Sequence, residues 1–328
     1  MATTIRALMG VASLVGATLA SGIGPAEAAD AWRHGVVEAK GDSGIIFMPT
    51  RFSEKYDIDL TMIEFVSSTV PVKALLAGEI DSYSTTPLVA IAAMSEGASL
   101  RFVGCNWPGM TYDLYGQADV KSVEDLRGKS VGVSGPGSAP DLFAREALRA
   151  GGVDPSEVTF ANAGGGGDRF RAVVAGVVDA TATSSEFEQE AEARGINVVA
   201  RARDATPNFV RNCLVTTEAN IESRRDVLVR FLASQMVGHA YAMDHPEETE
   251  ALARETAHLA PEDTSPRFIF TEAKESNAVT PDFAIPADKL QWNVEMMQRN
   301  DRIREAFDIN AFIEDGPRQE ALVLTETE

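Results

Sequence analysis

The sequence predicts an α/β protein made of two doubly wound α/β lobes that are joined by two crossover strands. The main observation is an internal repeat, because KALLAGEIDSYSTT at 73–86 and RAVVAGVVDATATS at 171–184 show the same order of features. Each begins with a basic residue and an apolar helix end, continues with an Ala-Gly stop and an Asp, and closes on hydroxyl side chains. Glycine is favoured at a helix C-terminus, so Gly78 and Gly176 each mark the end of a helix.

The match extends upstream and makes each copy a β-α-β-α-β unit. Residues 35–48 and residues 131–144 each read as a β-rich run, a Gly/Ser loop and an apolar helix. A short strand then begins at Ile80 in the first copy and at Val178 in the second. Right-handed β-α-β crossovers give parallel sheets with helices on both faces, and ligands bind beyond the carboxyl ends of the strands. Two such lobes imply a cleft between them.

Residues 1–28 are expected to be a cleavable signal peptide, which predicts a periplasmic protein. Arg6 precedes an apolar run at 7–19, and small residues follow. Ala26 and Ala28 satisfy the small-x-small rule, so the mature chain would start at Ala29. An uncleaved anchor is the weaker alternative, because Gly, Ser and Thr interrupt the run and it is shorter than the ~20 residues of a membrane span. No later segment of the sequence is a candidate for crossing a bilayer.

The crossover strands define the predicted lobes. MTYDLYGQA at 110–118 and NFVRNCLVTT at 208–217 are strand-like segments between the repeats and their flanks. After residue 217 the pattern becomes helical, and this tail is expected to pack back on the first lobe. Lobe 1 is therefore predicted at 29–113 and 214–328, including the C-terminal helices, and lobe 2 at 114–213.

Composition excludes several classes of function. The formal net charge is −20, which repels nucleic acid and opposes anionic ligands unless local dipoles or placed cations attract them. Cys105 and Cys213 could pair in an oxidising compartment, but two buried thiols explain them equally well. The histidines lack metal-binding spacing, and no motif positions a nucleophile. Neither a metal, a cofactor nor a catalytic residue is predicted.

The stretch DLRGKSVGVSGPGSAPDLFAREAL at 125–148 contains parts of nucleotide motifs and completes none. A P-loop would need Gly at position 123, where Val stands, and Pro140 occupies a position that a dinucleotide fingerprint does not allow. The remaining feature is a glycine-rich loop before a helix whose unpaired N–H groups face the cleft. Asp42-Ser43-Gly44, the hydroxyls at 67–69 and the glycines at 164–167 would supply similar helix N-termini.

The candidate ligand-binding residues come from these loops, from the hydroxyl-rich strand ends and from the first crossover: Lys40, Asp42, Ser43, Ser67, Ser68, Thr69, Thr85, Thr86, Trp107, Gly137, Ser138, Gly166, Gly167, Arg169, Thr183 and Ser184. Each has an ordinary structural interpretation as well. Hydroxyls at strand ends are common turn residues, and a loop before a helix can be a simple connection. Arg169 could be a solvated first-turn charge, and Trp107 could pack in the core or at the hinge.

Several phrases of the chain resemble one protein family. AGEIDSYSTTP, KSVEDLRGKSVGVSGPGS, the step from GGVDPSEVTF to AVVAGVVDA and the helix DVLVRFLASQMVGHAYAMDHPEE are similar to the nitrate/sulfonate/taurine-type, thiamine-pyrimidine-like substrate-binding proteins of ABC importers. The similarity covers about residues 32–310. It implies a type II periplasmic binding protein fold and lobes that close around one solute. It also implies a monomer that delivers the solute to a permease and an ATPase on separate chains.

This chain departs from the family pattern at two loops. The first loop carries Lys40 and Asp42, and the second lobe shows four consecutive glycines at 164–167. Asp42 would disfavour a simple inorganic anion. The expected solute is therefore a larger organic one: a sulfonate, an aromatic or other organic carboxylate, or a solute with a polar or cationic group. The resemblance also includes thiamine-pyrimidine synthases, which use a cysteine-rich cluster that this chain lacks. An enzyme of that type and a ligand sensor on the same fold are the alternatives.

Overall fold

The structure is a computed structural model that describes residues 29–37, 40–65 and 70–326. The predicted signal peptide at 1–28 lies outside the described residues. So do three of the candidate ligand residues, Ser67, Ser68 and Thr69.

Two five-stranded sheets form the centre of the described chain, in the orders β2-β1-β3-β10-β4 and β7-β6-β8-β5-β9. Their strands are β1 Asp30–Val37, β2 Ile58–Phe65, β3 Ser82–Thr85, β4 Leu100–Trp107, β5 Tyr112–Gly116, β6 Ser130–Val133, β7 Thr159–Asn162, β8 Ala180–Ser184, β9 Asn197–Arg201 and β10 Asn212–Thr217. Among the described helices, none combines the length and the apolar character that a bilayer-spanning segment needs.

The helices that cover these sheets are α1 Ser43–Phe47, α2 Val70–Leu76, α3 Leu88–Ser95, α4 Ala139–Ala150, α5 Gly166–Val174, α6 Glu188–Ala193, α7 Ala202–Ala205, α8 Glu218–Ser223, α9 Arg225–Asp244, α10 Pro246–Thr256, α11 Ser265–Glu275, α12 Ala287–Arg299 and α13 Gly316–Glu326. Helix α10 begins at Pro246, as expected for a residue that tolerates the first helical position.

The two sheets have the same topology. In the first, β1 pairs in parallel with β2 and β3, and β10 enters antiparallel between β3 and β4. In the second, β6 pairs in parallel with β7 and β8, and β5 enters antiparallel between β8 and β9. Each sheet thus contains one strand of a crossover segment. The predicted lobe boundaries at 113/114 and 213/214 fall inside β5 and β10, and the division into lobes stays a prediction.

The repeated glycines end their helices in the same way. Gly78 and Gly176 both have a φ of +72°, a left-handed conformation that glycine adopts without a steric penalty. After each glycine the chain closes a Schellman turn, with Glu79 N–H donating to Ala74 O at 2.9 Å and Val177 N–H donating to Ala172 O at 2.9 Å. The strands that follow begin two residues later than the sequence indicates, at Ser82 and Ala180.

Before each of these short strands, the repeated aspartate braces the first strand of its own repeat. The Asp81 carboxylate accepts the Arg33 N–H of β1 at 2.8 Å, and the Asp179 carboxylate accepts the Ser130 N–H of β6 at 2.8 Å. Asp81 also forms ion pairs with Arg33 and Arg224, at 3.1 Å and 2.7 Å. The turn before each short strand is therefore part of the sheet architecture.

Cys105 and Cys213 form a disulfide that joins β4 to the start of β10. The sequence left this pairing open. Both residues are fully buried, and they lie beside the points where the chain leaves and re-enters the first sheet. The bond ties β4, which leads into the first crossover segment, to β10 of the second.

The C-terminal helices cover more than the first sheet. Helix α9 packs with α13 and with Trp32 of β1 in one apolar cluster, as the predicted tail should. However, α12 reaches the second sheet's helices, since Arg299 pairs with Glu146 of α4 at 2.7 Å. Glu272 of α11 likewise meets Ser185 beyond β8. The tail therefore bridges both halves of the molecule.

Replacing Asp81 with Asn should lower the free energy of unfolding by about 2 kcal/mol at neutral pH, because its buried carboxylate no longer carries the charge that pairs with two partly exposed arginines, Arg33 and Arg224. Although burial acts to raise the pKa of Asp81, the hydrogen bonds and charges of Arg33 and Arg224 lower it overall. The stabilisation is therefore complete above the ordinary aspartate pKa and is lost as the pH falls below about 4. Urea unfolding at several pH values measures this, with exposed Asp59→Asn as the matched control.

Removing the disulfide with Cys105→Ala and Cys213→Ala should cost about 4 to 5 kcal/mol, because the bond closes a loop of 108 residues. Guanidinium unfolding of the variant, and of the wild type with and without reductant, gives the value. Labelling of both thiols in denatured, unreduced protein would contradict the bond itself.

Candidate functional site

The candidate site lies where the two crossover segments meet, at Trp107 and Arg211. Trp107 ends β4 and is fully buried, and Arg211 immediately precedes β10. The Arg211 N–H donates to Trp107 O at 3.2 Å, and the guanidinium carbon stands 3.8 Å from the centre of the indole ring. This is cation–π geometry, and it fixes a positive charge at the junction of the two sheets.

The loop between β1 and α1 brings Asp42 to this junction. The Asp42 carboxylate forms an ion pair with Arg211 and accepts the Lys40 N–H at 3.0 Å. Ser43 plays a different part, because its hydroxyl donates to Lys40 O at 2.7 Å and lies 3.2 Å from Ala253 O. Asp42 therefore faces the site, whereas Ser43 holds the loop against α10.

Arg169 is the second cation on the cleft side, and it lies at the start of α5. It is 5% exposed, and its guanidinium donates to Ala182 O at 2.8 Å and to Gly164 O at 2.9 Å. Burial is the main cause that lowers its pKa. No carboxylate in the described part of the chain forms an ion pair with it. Thr183 beside it donates to Gly166 O at 3.1 Å. The hydroxyl of Thr183 and the glycine loop therefore hold Arg169 in place.

Two glutamates that the sequence analysis did not propose also lie here. Burial, reinforced by the charge of Asp42, raises the pKa of Glu186 to about 7 against the opposing charges of Arg211 and Lys40. Glu272 of α11 accepts a hydrogen bond from the Ser185 hydroxyl at 2.5 Å, and burial raises its pKa as well. The cleft thus contains carboxylates as well as guanidinium groups.

The glycine loop before α4 is satisfied by its own side chains. The Gly137 N–H donates to the Asp141 carboxylate at 2.7 Å, and the Ser138 hydroxyl caps the helix by accepting the Asp141 N–H at 3.4 Å. Gly137 has a φ of +78°. The Arg302 side chain lies over it, and its Cδ is 2.6 Å from where the Cβ of any other residue at position 137 would be. The N–H groups of Gly137 and Asp141 are therefore hydrogen-bonded within this segment, although the sequence suggested that unpaired N–H groups here face the cleft.

The remaining candidates occupy strand ends and the first turn of α5. Thr85 ends β3 opposite Cys213, and Thr86 follows it with a buried hydroxyl that has no partner in the described residues. Ser184 offers its main-chain oxygen to the Tyr115 hydroxyl at 3.0 Å. Gly167 lies in the first turn of α5, next to Gly166.

Unpartnered buried polar atoms gather at the crossovers. Within the described residues, the atoms of this kind near the junction are Thr86 Oγ1, Trp107 Nε1, Thr111 Oγ1, Arg211 Nη1 and Asn212 Oδ1. Buried polar groups in proteins are nearly always hydrogen-bonded, so such a concentration is typical of a site that a ligand completes. Two surface cavities of about 420 and 490 Å³ lie elsewhere, between α4 and β9 and at the opposite end of β3. They contain none of these atoms.

Only some of the site residues that the sequence prediction omitted have a recognisable signal in the sequence. Arg211 stands inside the segment that predicted a crossover strand, and a cation at that position could have been proposed for the cleft. Glu186 lies within a loop already considered. Glu272 gives no such signal, because nothing in its helix indicates that the tail reaches the second sheet.

Comparison with known proteins places this geometry in a family. A sequence model described as NMT1/THI5 like matches residues 52–249. The chain belongs to this family. No curated protein matches the sequence. The recognised resemblance is confirmed, since the family model and the solved structures point to the same group.

Solved structures share the fold. The periplasmic aliphatic sulphonate binding protein SsuA of Escherichia coli is 20% identical, with a TM-score of 0.72 over 87% of this chain and 92% of that chain. The alkanesulfonate-binding protein SsuA of Xanthomonas axonopodis pv. citri, solved with MOPS, is 15% identical, with a TM-score of 0.70 over 89% and 100%. A DszB mutant in complex with biphenyl-2-sulfinic acid is 12% identical, with a TM-score of 0.67 over 90% and 99%. The predicted fold class is confirmed.

Glu186→Gln should stabilise the ligand-free protein at high pH. The folded pKa of Glu186 is raised to about 7, so the wild type loses stability as the pH rises from about 4.3, the ordinary glutamate pKa, towards 7. The variant carries no such charge, so its free energy of unfolding should exceed that of the wild type at pH 8 and approach it at pH 5. Urea unfolding at both pH values measures the difference. Exposed Glu192→Gln is the control, and an equal difference at the two pH values would contradict the assignment.

Proposed function

We propose that the protein is the periplasmic solute-binding component of an ABC importer. One observation carries the proposal: buried polar side-chain atoms without partners are concentrated where the two halves of the molecule meet. A solute bound between two closing lobes would supply those partners and would favour the closed form. The signal peptide at 1–28 and the lobes at 29–113 with 214–328 and at 114–213 belong to the same proposal.

Membership of the family and the shared fold support this function. Several proteins with similar structures are described as sulfonate-binding proteins, and those of Escherichia coli and Methylobacillus flagellatus are described as periplasmic. In the proposal, a monomer delivers its solute to a permease and an ATPase on separate chains. It acts through binding and closure, without a cofactor.

A small organic anion, either a sulfonate or an aromatic or other organic carboxylate, is the proposed class of solute. Arg169 and Arg211 supply positive charge in the cleft, and the indole of Trp107 supplies an apolar face and an N–H donor. Both cations are held by other groups, so they are preorganised for a planar or tetrahedral oxyanion. Asp42 next to Arg211 argues against a bare inorganic anion.

A thermal-shift panel of sulfonates and organic carboxylates tests the proposal. A true solute at a hundred times its Kd should add about 2.7 kcal/mol of stability and raise the Tm by several degrees. Arg211→Gln should weaken binding by about tenfold to a hundredfold, since a charged hydrogen bond is lost. Arg304→Gln, an exposed position, is the control and should bind as the wild type does.

An independent test is to purify the protein from its native host, release any bound solute and identify it by mass spectrometry. N-terminal sequencing of the same protein should place the mature start near Ala29. A broad panel that never raises the Tm, together with no released solute, would reject the proposal. A pull-down that returns a membrane sensor in place of a permease would favour the sensor alternative.

A further inference from the structure

A chain of polar side chains crosses the interior of the first sheet, on the face that packs against α9. The Trp32 indole N–H donates to the Ser82 hydroxyl at 2.8 Å. His34 Nδ1 lies 2.7 Å from the same hydroxyl, and His34 Nε2 lies 2.9 Å from the Ser84 hydroxyl. Trp32 and Ser82 are fully buried and His34 is 1% exposed, whereas Ser84 is 8% exposed. We name Trp32, Ser82, His34 and Ser84 the buried relay.

The buried relay has a fixed direction, because its first member can only donate. The Ser82 oxygen accepts the indole N–H, so its own hydroxyl hydrogen needs an acceptor. Within the described residues, the acceptor in contact with that hydroxyl is His34 Nδ1. Burial, with the charge of His239 as a second cause, lowers the pKa of His34 to about 3, so the ring is neutral and carries one proton. Nδ1 accepts, and the proton therefore lies on Nε2.

Ser84 is where this direction leaves a hydrogen over. His34 Nε2–H donates to the Ser84 oxygen, and the described part of the chain holds no acceptor for the Ser84 hydroxyl hydrogen. The reverse direction would place the unpaired hydrogen on Ser82, in the interior, where it is more costly. Ser84 is the next-to-last residue of β3, near the carboxyl end of the strand, and Thr86, two residues on, has a buried hydroxyl without a partner. Two hydroxyls with unmet hydrogen-bonding capacity therefore lie at the end of the strand where a ligand is expected.

We propose that His34 is a positioning residue of the binding site: its Nε2–H makes the Ser84 hydroxyl a hydrogen-bond donor towards the cleft, for an acceptor atom of the solute. The inference rests on the proposed function and adds two residues to its site. His34 is too buried to touch the solute, so it acts through Ser84. Without the histidine the hydroxyl could rotate freely, and ordering it on binding would cost affinity.

The tautomer of His34 tests the buried relay without any ligand. In the full chain with isotope-labelled histidine, two-bond proton–nitrogen correlation spectra at neutral pH distinguish the two neutral tautomers, and His34→Phe assigns the signals. His34 should carry its proton on Nε2. His239 is an internal reference of the opposite kind: burial lowers its pKa to about 4, and its Nδ1 lies 2.9 Å from the main-chain oxygen of Gln235, which can only accept. His239 should therefore carry its proton on Nδ1.

Calorimetry with two probes, ethanesulfonate and benzoate, tests the positioning itself. Ser84→Ala should weaken the better-bound probe about tenfold, and Ser84→Thr, which keeps the hydroxyl, should restore most of the affinity. His34→Phe should weaken binding about fivefold on its own and have no further effect when residue 84 is already alanine, because the histidine acts through that hydroxyl. Ser53→Ala, which removes a buried hydroxyl that bonds Thr50 O, should bind as the wild type does. Circular dichroism with thermal melting checks that each variant is folded.

Three results would overturn the inference. A His34 that carries its proton on Nδ1 would make Ser84 a donor to the ring instead of to the cleft. Equal losses from His34→Phe in the presence and absence of the Ser84 hydroxyl would show a residue that only stabilises the fold. In both cases, probe binding by the wild type leaves the proposed function standing. If neither probe binds the wild type, the positioning role is rejected whatever the tautomer, and the wider panel decides on the proposed function.

Discussion

The junction of the two crossover segments is the constraint on which the rest of the molecule depends. The disulfide between Cys105 and Cys213 holds the end of β4 beside the start of β10. Trp107 stands two residues beyond one cysteine and Arg211 two residues before the other, so the same bond sets the position of both. Because the chain passes between the sheets at this point, any change in the angle between the two halves must occur around a fixed pair of side chains. The charges of the cleft are arranged about that pair.

The internal repeat supplies two sheets of the same design with different contributions to the cleft. Gly78 and Gly176 end equivalent helices, and Asp81 and Asp179 brace equivalent strands. These positions are architectural in both copies. The copies differ near the ends of β3 and β8: one side presents the hydroxyls of 85–86, and the other presents the buried cation Arg169 of α5 and, just after β8, Glu186. A duplicated scaffold with unequal loops gives a ligand two different faces.

Local sequence signals were sufficient for the fold and insufficient for much of the site. Glycine stops, hydroxyl-rich strand ends and the helical tail depend on neighbouring residues, and the sheets, crossovers and α10 follow from them. The pairing of Cys105 with Cys213 and the contact of Glu272 with Ser185 depend on residues far apart in the chain, and no local pattern encodes them. The loop at 135–139 has a composition that suggested free amides. There the Asp141 carboxylate accepts the Gly137 N–H and the Ser138 hydroxyl accepts the Asp141 N–H, because a short helix start can be capped by its own side chains.

The position of β10 determines the order in which the two sheets can form. All five strands of the second sheet come from the continuous stretch 112–201, so this sheet can form as soon as that stretch is available. The first sheet cannot, because β10 fills the gap between β3 and β4, and without it both strands have an unpaired edge. Non-local pairing of this kind is slow and comes late in folding. Cys105 lies on β4 at one side of that gap and Cys213 on β10 itself, so the disulfide can form only after the last strand has arrived.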